Sequence, residues 1–342
     1  MADITVMGAG IFGLSVAWTC AAQGAQVRVI DPNGPGAGAS GGIIGALAPH
    51  VPEKWNEKKA FQFESLIMAE TFWASIAEAS GQSPGYARLG RLQPVADEAA
   101  LTLARTRAEN ARALWQGKAT WRVISAEGDW APLSASGYLI EDTLSARLHP
   151  RAACAALVGA IRAKGGEVVR TGTPEGRLVW ATGVAGLHEL SRAHTRSVGS
   201  GVKGQGALLA YDGAHLPQLF ADMLHIIPHE DGTTAIGSTT ENTYDDPTST
   251  DAQLDAVIAR ARAAVPVLAD APVLERWAGI RPRSRSRGPM LGAHPLRVGE
   301  FIANGGFKIG FGMAPKVGQV MADLILDGVD RIPEGFRVEA SY

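Results

Sequence analysis

The chain has 342 residues, with 32 Lys and Arg against 34 Asp and Glu, a formal net charge of −2. That balance leaves no general electrostatic hold on nucleic acid or on an anionic membrane surface, so small-molecule partners are expected. The length is enough for a large core shared between two domains, and two distant cysteines, Cys20 and Cys154, with no CxxC exclude a disulfide scaffold or a cysteine zinc site.

The N-terminus enters its first apolar run directly, without a basic leader, and no run reaches the roughly 18 apolar residues of a membrane span. A cytoplasmic protein with buried, reduced thiols is expected. The first element is a strand at 4–7. Gly8, Gly10 and Gly13 follow at once, then a helix of small residues ending near Gly24, then a second strand at 26–30 closed by Asp31. This is a dinucleotide-binding βαβ unit: Gly8 permits the tight turn, Gly10 lets the backbone approach a pyrophosphate, and Gly13 lets the helix pack on the sheet. Asp31 would accept from the ribose hydroxyls and repel a 2′-phosphate, which leaves NAD or FAD.

The next stretch, PNGPGAGASGGIIGALAPH from Pro32 to His50, is mostly glycine and alanine and suits a backbone laid against an extended ligand. A helix is predicted over 56–80, a strand over 86–95, a helix over 98–115 and a strand over 137–141. A helix at 150–164 leads to a strand at 167–170, the turn TGTPEG and the apolar strand RLVWATG. Strands at 205–211, 225–228 and 234–238 look like a second sheet, followed by a helix at 250–265. The last helix is predicted over 315–326, with Pro315 at its start and Gly328 past its end.

Taken together, GAGIFG, GAGASGG, VWATG, VKGQ, HIIPHEDG, AGIRPRSRSRGPMLG and NGGFKIGFGMAP resemble the D-amino-acid oxidase family of FAD enzymes, which includes glycine oxidase, sarcosine oxidase and D-amino-acid dehydrogenase. The resemblance runs the length of the chain. It implies an α/β plus α+β architecture: a Rossmann-like, glutathione-reductase-type FAD domain from 1–80, 145–204 and 295–342, with an inserted antiparallel-sheet substrate domain from 81–144 and 205–294. The family's small β-meander before the ATG strand is replaced here by TGTPEGR alone.

By the same resemblance FAD is held without a covalent bond. Its contacts would come from Gly8, Gly10, Ile11, Phe12, Gly13, Asp31 and Pro32; from Ala39, Ser40, Gly41, Gly45, Ala46 and Leu47; from Thr173 and Pro174 at the adenine; and from Ala181, Thr182 and Gly183. Gly305, Gly306, Phe307, Lys308 and Ile309 would precede a helix whose positive end points at the flavin's pyrimidine edge.

Arg281 stands where the family places its carboxylate-binding arginine, and its planar fork suits that task. Arg283, Arg285 and Arg287 read as a solvated run. His225 takes the place of a family tyrosine that assists the carboxylate; a histidine can donate there, more strongly when protonated, or can be a core side chain. Lys308 could bind carboxylate or help activate oxygen, and His50 could lie near the flavin face. The expected reaction is oxidation of the amine of a small amino acid or N-substituted glycine to an imine, with oxygen or a carrier as electron acceptor. Two alternatives stand beside it: oxidation of a carboxymethylamino group on tRNA wobble uridine, for which RPRSRSRG could contact phosphates, and a flavin-holding assembly protein without turnover.

Overall fold

The computed structural model describes all residues from Met1 to Tyr342. Two large sheets organise it. The first has six strands in the order Met290–Ala293, Phe301–Asn304, Arg177–Trp180, Ile4–Met7, Val27–Ile30 and Glu167–Val169. All neighbours are parallel except the edge strand Met290–Ala293, which runs antiparallel to Phe301–Asn304. The strand Ile4–Met7 pairs on both sides, so its residues are almost all buried, and it is apolar except at Thr5, whose hydroxyl donates to the Glu175 carbonyl at 2.7 Å.

Helix α1 (Ile11–Ala22) leaves the first strand through the glycine turn and is buried on nearly all its surface. Its small side chains allow this. Gly8 has φ +110°, and an added Cβ would meet the Ala181 carbonyl oxygen at 2.4 Å; one on Gly13 would meet the Gly8 carbonyl oxygen at 2.0 Å. Helix α2 (Glu57–Ser80) starts where the Asn56 side chain accepts the Lys59 N–H and stops at Gly81, φ +68°. Beyond α3 (Glu98–Leu114), helix α4 (Pro150–Ala163) carries Pro150 in its first turn and His149 as its cap. These helices and the first sheet share the largest core, with α4 packed on α1 and α2. The helices α5 (Gly183–Ala193) and α6 (Ala252–Ala264) follow.

The second sheet has eight strands in the order Val273–Ser284, Gly199–Leu209, Thr234–Gly237, Leu224–Pro228, Gln218–Ala221, Arg91–Pro94, Tyr138–Asp142 and Trp121–Ser125. It is mixed rather than purely antiparallel as expected, because Gln218–Ala221 and Arg91–Pro94 run parallel. The strand Gly199–Leu209 lies wholly in this sheet and so crosses the expected boundary at 204, while Met290–Ala293 belongs to the first sheet although the sequence reading put it in the inserted domain.

Two further predicted elements change. The strand expected over 86–95 is confined to Arg91–Pro94. The last helix, α7, runs Gly310–Ala322 and contains Pro315 in its second turn, followed by a π-type turn ending at Gly328. Proline removes one donor there, and the next N–H, of Lys316, reaches the Ser65 hydroxyl on α2 at 3.2 Å. No helix is long and apolar enough to cross a membrane.

Candidate active site

Between the two sheets lies a cavity of about 350 Å³. The N-termini of three helices reach it: Gly10, Ile11 and Phe12 of α1, Gly183 of α5, and Gly310 and Phe311 of α7 all line its wall. None of the three has a side-chain cap on its N-cap residue. Helix N-termini present unpaired N–H groups and the positive end of the dipole, so this wall suits an extended anion. Gly10 leaves it open: an added Cβ would meet only Ser40 Oγ, at 3.4 Å. Ser40 itself is 8 % exposed and accepts the Ile11 N–H at 2.9 Å. These features fit the diphosphate of a dinucleotide.

The predicted contacts divide accordingly. Gly10, Ile11, Phe12, Ala39, Ser40, Ala46, Ala181, Gly183, Gly305, Gly306, Phe307 and Lys308 line the cavity together with His225 and Arg281. Gly8 and Gly13 sit behind it as packing glycines. Asp31 closes the turn, its carboxylate accepting the Ala9 N–H at 2.8 Å and the Asn33 N–H at 3.0 Å. Gly45 is needed for packing, since a Cβ would come within 1.8 Å of the Leu148 carbonyl oxygen, and Leu47 is core. The Gly41 carbonyl accepts from Arg151 at 2.8 Å. Thr182 is the N-cap of α5 and Ile309 that of α7.

Pro32, Thr173 and Pro174 are exposed and off the cavity wall, and the Thr173 carbonyl accepts from Arg28 at 3.1 Å. His50 is also exposed and away from it; both its ring Nδ1 and its N–H face the Gln62 side chain. A histidine in a glycine-rich loop carries no spacing signal, so its distance from the site could not be read from sequence.

Arg281 is the most informative side chain. It is 9 % exposed, and no carboxylate lies within ion-pair distance. Its Nη2 donates to Ser238 Oγ at 2.7 Å and, weakly, to the Thr239 carbonyl at 3.3 Å. The nearest acid in influence, Glu241, is engaged by Lys203 at 3.7 Å and Gln205 at 3.0 Å. Burial pushes the guanidinium down to about 10, with Glu241 opposing, so it stays charged at neutral pH. Room for the fork comes from Gly204, where a Cβ would lie 1.5 Å from Nη2.

Side chains two apart on a strand share a face. From Arg281 that rule reaches Arg283 and Trp277, neither of which the sequence reading placed at the site. Trp277 lines the cavity, and its ring covers Gly279, where a Cβ would lie 2.5 Å from it. The Arg283 guanidinium and the Lys308 ammonium each lie 5.7 Å from the Phe307 ring centre. Arg285 and Arg287 are exposed. Lys308 donates to Thr240 Oγ1 at 2.8 Å, and burial together with Arg281 and Arg283 lowers its pKa.

His225 faces Phe220 across the strand pair, with ring centres 4.9 Å apart, and its Nδ1 has no partner. Burial first, then Arg91, Lys308 and Arg281, push its pKa down to about 3. The ring is therefore neutral at ordinary pH, so any hydrogen bond it offers in the cavity is that of an uncharged imidazole. Phe220, Met223, Ile44, Ser238 and Asn304 also line the wall; their signal was tertiary, since they come from different loops and strands.

A family model described as FAD dependent oxidoreductase matches residues 3–324. The uncharacterized oxidoreductase YurR of Bacillus subtilis (strain 168) is 28 % identical over 95 % of both chains. Glycine oxidase of Bacillus licheniformis is 26 % identical over 95 % of this chain and 93 % of its own. In fold, iminodiacetate oxidase from Chelativorans sp. BNC1 superposes with a TM-score of 0.86 at 23 % identity, covering 98 % of each chain.

Proposed function

Since the chain belongs to the family of FAD-dependent oxidoreductases, we propose that it oxidises the amine of a small amino acid or N-substituted glycine to an imine. Bound FAD would supply the two-electron oxidising chemistry, as the hydride acceptor for the carbon beside the nitrogen. Its holders would be the glycine turn with α1, the loop around Ser40, and the segment Gly305–Lys308 before α7. The segments 1–80, 145–204 and 295–342 form the bulk of that unit in this reading.

One observation carries the substrate assignment: Arg281 is a buried cation at the cavity wall with only neutral partners. A buried charge is stable when an opposite charge joins it, and the planar fork prefers a carboxylate. Arg281 thus fixes the acid end of the substrate and so orients the carbon that is oxidised. Neutral His225 lies on the same wall with a nitrogen free to share a hydrogen bond with the bound molecule. Phe220 and Trp277 shed water from the cavity. Glycine oxidase and iminodiacetate oxidase, the activities named for two similar proteins, both concern amines bearing a carboxylate, which supports the reading.

The test is bleaching of the flavin absorbance without oxygen. Glycine, sarcosine, iminodiacetate and both enantiomers of alanine would be compared with methylamine and ethylamine. At least one carboxylated amine should bleach the flavin and the plain amines should not; bleaching by methylamine as fast as by sarcosine, or by none of the panel, refutes the proposal.

A further inference from the structure

Away from this cavity, His149, His229 and Asp231 each bring a possible ligand atom within 4.8 Å of the other two. His149 lies two residues past the short strand Ala146–Arg147 and caps α4, whereas His229 and Asp231 follow the strand Leu224–Pro228 in the turn of its hairpin. We propose that this cluster is a binding site for a transition-metal dication such as Zn²⁺, held by the two imidazoles and the Asp231 carboxylate.

His229 carries the argument. It is 0 % exposed, and its Nε2 has no hydrogen-bond partner. Its other nitrogen, Nδ1, faces Thr233 Oγ1 at 3.4 Å, and that hydroxyl spends its own hydrogen on Asp231 Oδ1 at 2.7 Å. The hydroxyl can therefore only accept from the ring. That contact favours the tautomer with the proton on Nδ1 and the lone pair on Nε2, the state in which a histidine ligates metal with its second nitrogen oriented by an outer partner.

His149 Nε2 lies 3.8 Å from Asp231 Oδ2. Its Nδ1 accepts the Ala152 N–H at 3.4 Å, a long bond that is given up when Nδ1 takes the proton and Nε2 the metal. Two ligand nitrogens on a tetrahedral zinc with bonds of about 2.0–2.1 Å stand about 3.3 Å apart, so the three groups must draw inward. Asp231 is exposed in a turn and can supply much of that movement.

A pocket of about 310 Å³ beside the cluster is lined by His149, Asp231, Glu230 and Ser83, which leaves room for water ligands and a further carboxylate. Arg147 is buried nearby, but its guanidinium is bound to the Gly85 and Ala214 carbonyls and forms no ion pair with either acid. Imidazole with carboxylate favours zinc, nickel or copper over magnesium. A bound ion would tie the start of α4, which packs on α1 and α2, to the eight-stranded sheet.

The test uses tag-free holoprotein, stripped with EDTA, dialysed, and titrated calorimetrically with ZnCl₂ or MgCl₂. One Zn²⁺ per chain should bind and raise the melting temperature by about 2–5 °C at saturating metal, while Mg²⁺ does neither. His229→Gln and Asp231→Asn should each weaken zinc binding by about tenfold or more; Asp231→Asn, at an exposed position, guards against a folding defect in the first variant. Absence of one-to-one zinc binding in the wild type, or unchanged affinity in Asp231→Asn, overturns the site.

Discussion

The guanidinium of Arg281 lies over Gly204 and has only neutral partners, so two substitutions test it in different ways. Arg281→Ala should lower kcat/KM on the preferred carboxylated amine by two to four decades, about 3–5 kcal/mol, with the flavin spectrum kept. Arg281→Lys should recover only part of this, since an ammonium lacks the fork. Gly204→Ala keeps the arginine but crowds its tip; a flexible side chain can move aside, so KM should rise while the melting temperature changes little. Exposed Arg285 is the control, and an Arg285→Ala loss equal to that of Arg281→Ala would point to a collective basic patch. His225, held near 3, is neutral throughout the working range. His225→Asn should leave the acid limb of the kcat/KM profile where it was, and a displaced limb would show that the ring titrates during turnover.

Among the elements, the glycine turn separates folding from cofactor binding. Gly13→Ala drives a Cβ into backbone at 2.0 Å and should abolish the folded protein. Gly10→Ala meets only Ser40 Oγ at 3.4 Å, so the protein should fold but retain less FAD on dilution, read as flavin occupancy after gel filtration. Spacing alone revealed this turn, because the chemistry and the backbone geometry act within a dozen residues. Other features required tertiary information. Pro315 looked like a helix start, yet α7 begins at Gly310 because its packing against α1 and α2 outweighs one lost hydrogen bond. Trp277 became a site residue only once Arg281 was on a strand with a known face. The parallel pairing of Gln218–Ala221 with Arg91–Pro94 had no local signature at all.

For the molecule as a whole, both thiols are buried and pushed up to about 12 by burial, Cys20 in α1 and Cys154 in α4. Neither suits covalent attachment, so acid precipitation should release all the yellow colour, and a coloured pellet would contradict this. Stability should also respond to acid. The unfolded chain protonates His225 below about pH 6.5, whereas the fold keeps it neutral until about 3; below 6.5 the unfolded state binds more protons, so the melting temperature should fall as pH drops through this window. The parallel seam between Arg91–Pro94 and Gln218–Ala221 has a further consequence in time. On a ribosome adding roughly 5–20 residues per second, the segment 91–94 emerges many seconds before its partner at 218–219. During that wait one side of the strand has open backbone groups, and only Tyr138–Asp142 can cover the other. The first sheet is completed later still, when Phe301–Asn304 docks beside Arg177–Trp180. The nascent chain therefore carries unfinished sheet edges for most of its synthesis, and the cavity between the sheets can take shape only near its end.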